Sequence, residues 1–361
     1  MDSRVRSLVS ILCHRCREND GLHFDGPLFL EIVPRSKGKN ERNDTMKIDS
    51  PYHEGELQVQ ARVGVLDEGA MNSRVIQDSI IKGALKFITQ LPMVVFGSLD
   101  QDHHVWASVF TGTPGFMHAE DDRRVTFDLT SMVPNPDDPF WENIQRNAQV
   151  GMLAIELASR RRLRINGRIT RVSGTVLKLH VEESYPNCPK YIQKRHLTFP
   201  QSGFDFVPSS SEQGERLGLN QRTLIAKADT FFVASVHPER GVDASHRGGL
   251  PGFVKTVDDR TLRIPDYPGN SMFNTLGNFT ANPRAGLTFP DFESGRTLQV
   301  IGRPEILYDV EDLPDETGGT KRYWLLHIDR WLETTHATPM NWEFLDASPY
   351  NPSQNMAYET N

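Results

Sequence analysis

TFFVASVHPERGVDASHRGGLPGFVKTVDDRTLRI, residues 230–264, lies without a gap on MVVFGSLDQDHHVWASVFTGTPGFMHAEDDRRVTF, residues 93–127. The offset of 137 brings Ser98 onto Ser235, Ala107-Ser108 onto Ala244-Ser245 and Pro114-Gly115-Phe116 onto Pro251-Gly252-Phe253. At an offset of 135 the match resumes, 147–168 on 282–303, sharing Gly151/Gly286 and Gly167-Arg168/Gly302-Arg303. So long a period excludes a solenoid unit and points to one domain duplicated and fused. A chain of 361 residues suits two ordinary domains.

Composition narrows the classes. A net charge of −7 argues against a general nucleic-acid binder, which carries a basic face. No apolar run reaches the length of a membrane span. Three cysteines, an odd number, do not make a disulfide framework, so a reducing compartment is expected. The cytoplasm fits best; the Arg/Ser-rich start, MDSRVRSLVSILCHRCR, makes a mitochondrial transit peptide the alternative. Cys13-His14-Arg15-Cys16 is half a zinc site with no second pair, and no metal is expected.

Residues 1–49 therefore read as a disordered or targeting extension, 50–197 as the first domain and 198–215 as a Ser/Pro/Gly-rich linker. Residues 216–330 form the second domain and 331–361 a tail. Apolar spacing predicts a helix over 73–90 with Ser73 as N-cap, and KRYWLLHIDRWLE (321–333) is helical by period. Short alternating runs such as HHVWASVF and RLRINGRIT, separated by turn residues, predict strands. One helix with many close-spaced antiparallel strands, made twice, is a mainly β fold with α additions: two small barrels in tandem.

Standard catalytic signatures are absent. There is no Walker loop, no GxSxG elbow, and no GxGxxG, so the chain lacks a Rossmann-type nicotinamide module of its own. His53, Glu54 and Glu56 do not form HExxH. The second copy is more suggestive. Ser245 and Arg247 precede a glycine turn, and PDYPGNSMFNTLGNFT (265–280) places small hydrogen-bonding residues at a helix start. Backbone donors there, with hydroxyls, amides and an arginine, make a phosphate cradle; a polar loop capping a short helix is the plain alternative.

GFVKTVDDRTLRIPDYPGN, NTLGNFTANPRAGLTF and GRTLQVIGR, in that order, resemble the FMN-binding split barrel of the pyridoxamine 5′-phosphate oxidase superfamily. The resemblance covers residues 50–330, and NCPKYIQKR (187–195) is similar to a motif of a subgroup with duplicated barrels. It implies two tandem split barrels forming an intrachain pseudo-dimer with FMN at their interface. It places Ser245, Arg247, Asn274 and Thr275 at the phosphate, and Asp266, Tyr267 and Asn270 along the ribityl chain and ring. From the other copy it places Arg162 where the oxidase strand has its flavin-contacting Gln; the neighbours Arg160 and Arg161 could also reach an anion, with a solvated basic edge as the plain reading for at least one of them. The chain departs from the oxidase in having Asn274-Thr275 for an Arg-Lys pair, and Trp106 and Phe110 of the first copy stand where the second has Asp243 and Arg247. The oxidase's closing C-terminal Trp and Arg-Leu motif is not recognisable, so vitamin B6 oxidation is not implied.

Cys188, Lys190 and Tyr191 group a soft nucleophile, a cation and a phenol, with His246 next to Arg247; these are the catalytic candidates, against a plain reading as buried packing. The leading expectation is an FMN-dependent oxidoreductase acting on a small molecule, with NAD(P)H or O2 as redox partner and a homodimer of the fused pair as an expected assembly. The alternatives are a non-catalytic flavin- or haem-binding protein, with His246 or His237 as axial ligand, and a cofactor-free interaction module.

Overall fold

The computed structural model describes residues 50–133, 135–199, 210–312, 316–335 and 341–352. The extension over 1–49, with Cys13 and Cys16, lies outside them. The described chain is mostly β with short helices. No helix among the described residues is long and apolar enough to cross a membrane.

The first sheet contains β1 (Met93–Leu99), β2 (Val105–Thr111), β3 (Met117–Ala119), β4 (Arg124–Asp128), β5 (Gln149–Glu156), β6 (Arg161–Ser173) and β7 (Val176–Pro186), in the order β2-β1-β5-β6-β7-β4-β3. After β8 (Lys194–Thr198) and β9 (Ser210–Gly214) comes the second sheet. It contains β10 (Thr230–His237), β11 (Gly241–Gly248), β12 (Lys255–Thr256), β13 (Thr261–Pro265), β14 (Ala285–Pro290), β15 (Arg296–Leu307) and β16 (Tyr323–Thr335). Its order, β11-β10-β14-β15-β16-β13-β12, is that of the first sheet strand for strand. Register repeats as well. Gly97 pairs with Ala107 and Gly151, and Ala234 with Ala244 and Gly286, which are the sequence offsets of 137 and 135.

The runs MVVFGSL and TFFVASVH are apolar on both faces because both faces are buried. Val94 and Phe96 enter the first repeat's own core, and Phe231 and Val233 the second's. The alternate residues Met93, Val95 and Phe232 pack between the repeats, with Leu153, Ile155 and Ala244. A further cluster of Leu99, Val105, Ala107, Ala234, Val236 and Val242 continues that interface. Glycines let the backbones meet. A Cβ on Gly151 would strike the carbonyl oxygen of Val242, and one on Gly286 that of Val105.

The helices are α1 (Glu54–Val63), α2 (Leu66–Asn72), α3 (Leu85–Thr89), α4 (Phe140–Arg146), α5 (Leu219–Lys227) and α6 (Asn274–Ala281). Although α1 precedes the first sheet, it packs on the second repeat: Val59 joins that core, and the helix crosses α6 where Gly55 meets Gly277.

Two helix expectations are corrected. Over 73–90 only short turns and α3 form, and Ser73 donates its hydroxyl to the Ala70 carbonyl at the end of α2 (2.8 Å) instead of capping a start. Gln77 pairs with Ser184 and the Ile80 N–H bonds to the Asp122 carbonyl (2.7 Å), so long-range pairing takes the backbone that the local period would have coiled. KRYWLLHIDRWLE is the strand β16; Trp324, Leu326 and Ile328 alternate into the core with Leu325, His327 and Asp329 outward, a period of two. That strand continues past residue 330, and β9, within 198–215, pairs along it. In the tail, β17 (Asn341–Asp346) pairs with β8.

Candidate functional site

A cleft of about 300 Å³ opens where the repeats meet. The second repeat contributes β11, the 266–273 loop and the start of α6; the first contributes β6 and the 187–191 loop, and Val63 and Val65 close one side. Twelve of the thirteen expected site residues line it: Ser245, His246, Arg247, Asp266, Tyr267, Asn270, Asn274, Thr275, Arg162, Cys188, Lys190 and Tyr191. Arg161 is the exception and is set aside. Adjacent strand residues point to opposite faces, and the Arg161 guanidinium pairs with Glu156 (2.5 Å) over the Phe87 ring.

The local backbone is built for this shape. Ser271 and Phe273 hold left-handed φ angles of 56° and 59°, Tyr191 one of 67°, and all three line the cleft. Such strain persists only where surrounding contacts impose it, and it collects at functional sites. The Asn270 carboxamide oxygen accepts from the Met272 N–H (3.2 Å), which turns the chain into α6. The Tyr191 hydroxyl donates to the Pro268 carbonyl (2.9 Å), its ring lies 5.0 Å from that of Tyr267, and its N–H is held by Ser348 of the tail (3.1 Å).

At the start of α6 the Thr275 hydroxyl donates to Ser245 Oγ (3.2 Å), which also receives the Arg164 guanidinium from the other repeat. The Asn274 carboxamide donates to Glu56, whose other oxygen accepts from the His53 N–H (2.9 Å) in the capping box of α1. Burial pushes the Glu56 carboxyl up to about 8. An acid whose folded pKa is raised stabilises the fold fully below its unfolded value of 4.5, and that contribution is lost as pH rises through about 8. Glu56→Gln is therefore expected to gain stability relative to the parent between pH 5 and pH 9. Urea denaturation at both pH values measures it; an unchanged difference sinks the claim.

Charge in the cleft is one-sided. Arg162, Arg164, Lys190, Arg247 and Arg322 line it, with Asp266 as the one carboxylate. Arg322 pairs with Asp266 (3.0 Å), and Arg164 with Asp243 (3.6 Å) and the Tyr185 hydroxyl (2.7 Å). Burial works against the Arg164 charge, but Tyr185 and Asp243 outweigh it and the pKa is raised. Arg162 and Arg247 have no carboxylate partner among the described residues. Arg162 donates to the Cys188 carbonyl (2.7 Å), and both guanidiniums approach the His246 carbonyl, at 3.4 and 3.1 Å. Burial, with Arg247 and Arg164 adding repulsion, pushes Arg162 down to about 10, still charged at neutral pH. The His246 ring is 2% exposed, neither nitrogen has a partner among the described residues, and burial then Arg162 and Arg247 hold its pKa well below the usual value. Recessed cations without counter-charges are costly unless an anion completes them.

Residues 219–333 match the model of the family described as pyridoxamine 5′-phosphate oxidase. That match spans the second repeat, less than half of the chain. Solved structures similar to the chain include HupZ of Group A Streptococcus, at 18% identity over 32% of this chain and 91% of that one with a TM-score of 0.26. A putative pyridoxamine 5′-phosphate oxidase of Lactobacillus delbrueckii shares 15% over 33% and 94%, with a TM-score of 0.27. A pyridoxinephosphate oxidase-family protein of Clostridium acetobutylicum shares 13% over 35% and 93%, at 0.26. Likenesses of that size carry no weight for function. None of the curated proteins matches the chain.

The corresponding place across the pseudo-symmetry is built differently. Gln299 there donates to the Ala107 carbonyl (2.9 Å), as Arg164 does to that of Ala244 (3.2 Å), and Ser108 donates to Asp138 (2.5 Å). Phe110 replaces Arg247 and packs 5.2 Å from the rings of both Phe140 and Trp141, and the remaining hollow is about 70 Å³.

Sequence reading missed Arg164 and Arg322. Arg164 was within reach: it lies two residues from Arg162 on one strand and so on the same face. Arg322 carries no local signal, because its partner Asp266 is 56 residues away.

Proposed function

We propose that the chain is an FMN-dependent oxidoreductase built from two tandem split barrels, with one cofactor at their interface and a small-molecule substrate. The observation that carries this reading is the pair Arg162 and Arg247, one from each repeat, recessed in a single cleft beside the start of α6 with no salt-bridge partner among the described residues. Arg247, Ser245 and Thr275 would hold the phosphate, with Asn274 fixed beside them by Glu56. Asp266, Tyr267 and Asn270 would follow the ribityl chain and ring, and Arg162 would face the ring from the other repeat. The residues fit the group: the lining combines cationic and hydroxyl donors suited to a phosphate with the neighbouring rings of Tyr191 and Tyr267. Bound FMN would supply electron transfer between the substrate and NAD(P)H or O2.

Within this arrangement Tyr191 and Tyr267 narrow the mouth and limit water. His246, kept neutral by burial and by Arg162 and Arg247, would stand behind the cleft as the proton-holding candidate. Cys188 and Lys190 complete the substrate side. The cytoplasm is the proposed place of action. The haem alternative turns on the same His246, since His237 stacks on His53 at 4.1 Å outside this cleft.

An absorption spectrum of the purified protein tests the reading. Bands near ~370 and ~450 nm with FMN released on denaturation are expected. A single Soret band would transfer the site to haem, and a colourless protein that takes up no added FMN would leave an interaction module.

A further inference from the structure

We propose that Tyr191 is a gate across the cleft and that Gln193, with Ser348 and Asn351 of the C-terminal segment, holds it shut, so that these positioning residues set how fast a ligand enters and leaves. The proposal rests on the cofactor reading above for the identity of the ligand alone. Tyr191 belongs to the first repeat, and its hydroxyl donates to the Pro268 carbonyl of the second (2.9 Å). The side chain thus bridges the two loops that line the cleft from either repeat. Its ring lies 5.0 Å from that of Tyr267, which thickens the bridge without a further hydrogen bond between the two rings.

The φ of 67° at Tyr191 lies in the left-handed region, which is costly for a bulky side chain and persists only where contacts impose it. Those contacts take both of its main-chain polar groups. Ser348 Oγ accepts from the Tyr191 N–H (3.1 Å), and Gln193 Nε2 donates to the Tyr191 carbonyl (3.2 Å). The two holders are joined in turn, the Ser348 N–H donating to Gln193 Oε1 (2.8 Å). Gln193, 1% exposed, also makes a reciprocal carboxamide pair with Asn351 (3.1 Å each way) and donates to the Gly249 carbonyl of the second repeat (3.2 Å). A buried carboxamide satisfied at both its oxygen and its nitrogen rigidifies what it joins. Arg160 ties loop and tail together a second time, donating from Nε to the Ile192 carbonyl (2.7 Å) and from Nη2 to that of Ala347 (2.7 Å). Gly248 lets the loop sit close, since a Cβ there would strike the Tyr191 carbonyl oxygen. Ser348, Gln193 and Asn351 do not line the cleft, so they act on a ligand only through the residue they hold.

Cys188, 7% exposed, lines the cleft on the same loop and reports its opening. Full-length protein is treated with iodoacetamide, and the Cys188 peptide is quantified by mass apart from Cys13 and Cys16. Ser348→Ala and Tyr191→Phe are each expected to speed alkylation of Cys188 about 2- to 12-fold, the worth of one neutral hydrogen bond. Low, non-denaturing urea is expected to leave the rate unchanged in parent and variants, because local opening exposes little surface. Asn351→Ala, farther from the loop, takes the place of Ser348→Ala should that variant not fold. Entry and exit both pass through the open form, so stopped-flow flavin fluorescence of Ser348→Ala is expected to show association and dissociation rising by the same factor with Kd unchanged. An unchanged alkylation rate in either variant, alkylation that climbs with low urea as global unfolding would make it, or a rise in dissociation alone overturns the gate. Alkylation is read without flavin, so variants that speed it in a protein that takes up no FMN would keep the gate and refute the cofactor, whereas a flavin-loaded protein whose alkylation the variants do not change would do the reverse.

Discussion

Arg247→Ala is expected to weaken flavin binding by about 10- to 150-fold, the cost of one charge-assisted phosphate contact of about 1.5–3 kcal/mol. Its guanidinium forms no ion pair among the described residues and donates to one backbone carbonyl, that of His246. In the cofactor-free protein the charge is therefore a burden: burial lowers its pKa, and Asp266, beyond ion-pair distance, offsets this only in part while Arg164 repels it. Alanine removes that burden, so the cofactor-free variant is expected to melt no lower than the cofactor-free parent, while Arg247→Lys recovers part of the affinity as a point charge. Flavin content per chain and fluorescence-monitored flavin titration give the first result, thermal melting the second. A variant that keeps stoichiometric flavin removes Arg247 from the site. One that unfolds shows instead that the arginine is structural.

The second large effect concerns the contact between repeats. Gly286→Val is expected to cost about 3 kcal/mol or more, because the new side chain would meet the Val105 carbonyl and the Trp106 Cα (2.9 Å), neither of which is a flexible tip. For repeats of this size that is a fall of about 6–12 °C in Tm. Gly151→Val is the mirror experiment, against the Val242 carbonyl and the Asp243 backbone. The double variant is expected to cost less than the sum, since the first substitution already parts the surfaces the second would part. Flavin affinity should fall with either, because the cleft draws cations from both sides of that contact. A Gly286→Val protein that melts within a degree or two of the parent would show that the repeats do not pack in this way.

The duplication was legible because paired strands repeat their register. Gly97 and Ala234, Gly151 and Gly286 hold equivalent ladder positions, so residues aligned in sequence became aligned in space. The helix assigned to 321–333 was misread although Trp324, Leu326 and Ile328 already alternate with Leu325, His327 and Asp329; the Leu-rich stretch satisfies either period, and only the β15 and β13 ladders on its two sides choose between them. The second repeat's site residues were found because Ser245, Arg247 and the 265–275 stretch lie in the segment that carries the resemblance.

The sequence by itself determined the repeat, the strand-rich composition and which half is polar where its copy is apolar: Arg247 against Phe110, His246 against Val109. Only the tertiary structure decided how those differences add up. It brought Arg162 and Lys190 of one repeat to Arg247 of the other, turned Arg161 away to Glu156, and matched Arg322 to a carboxylate 56 residues distant. Charge balance depends on distance through space, and a surplus of unmatched cations exists only once the chain has folded and shown which carboxylates are within reach.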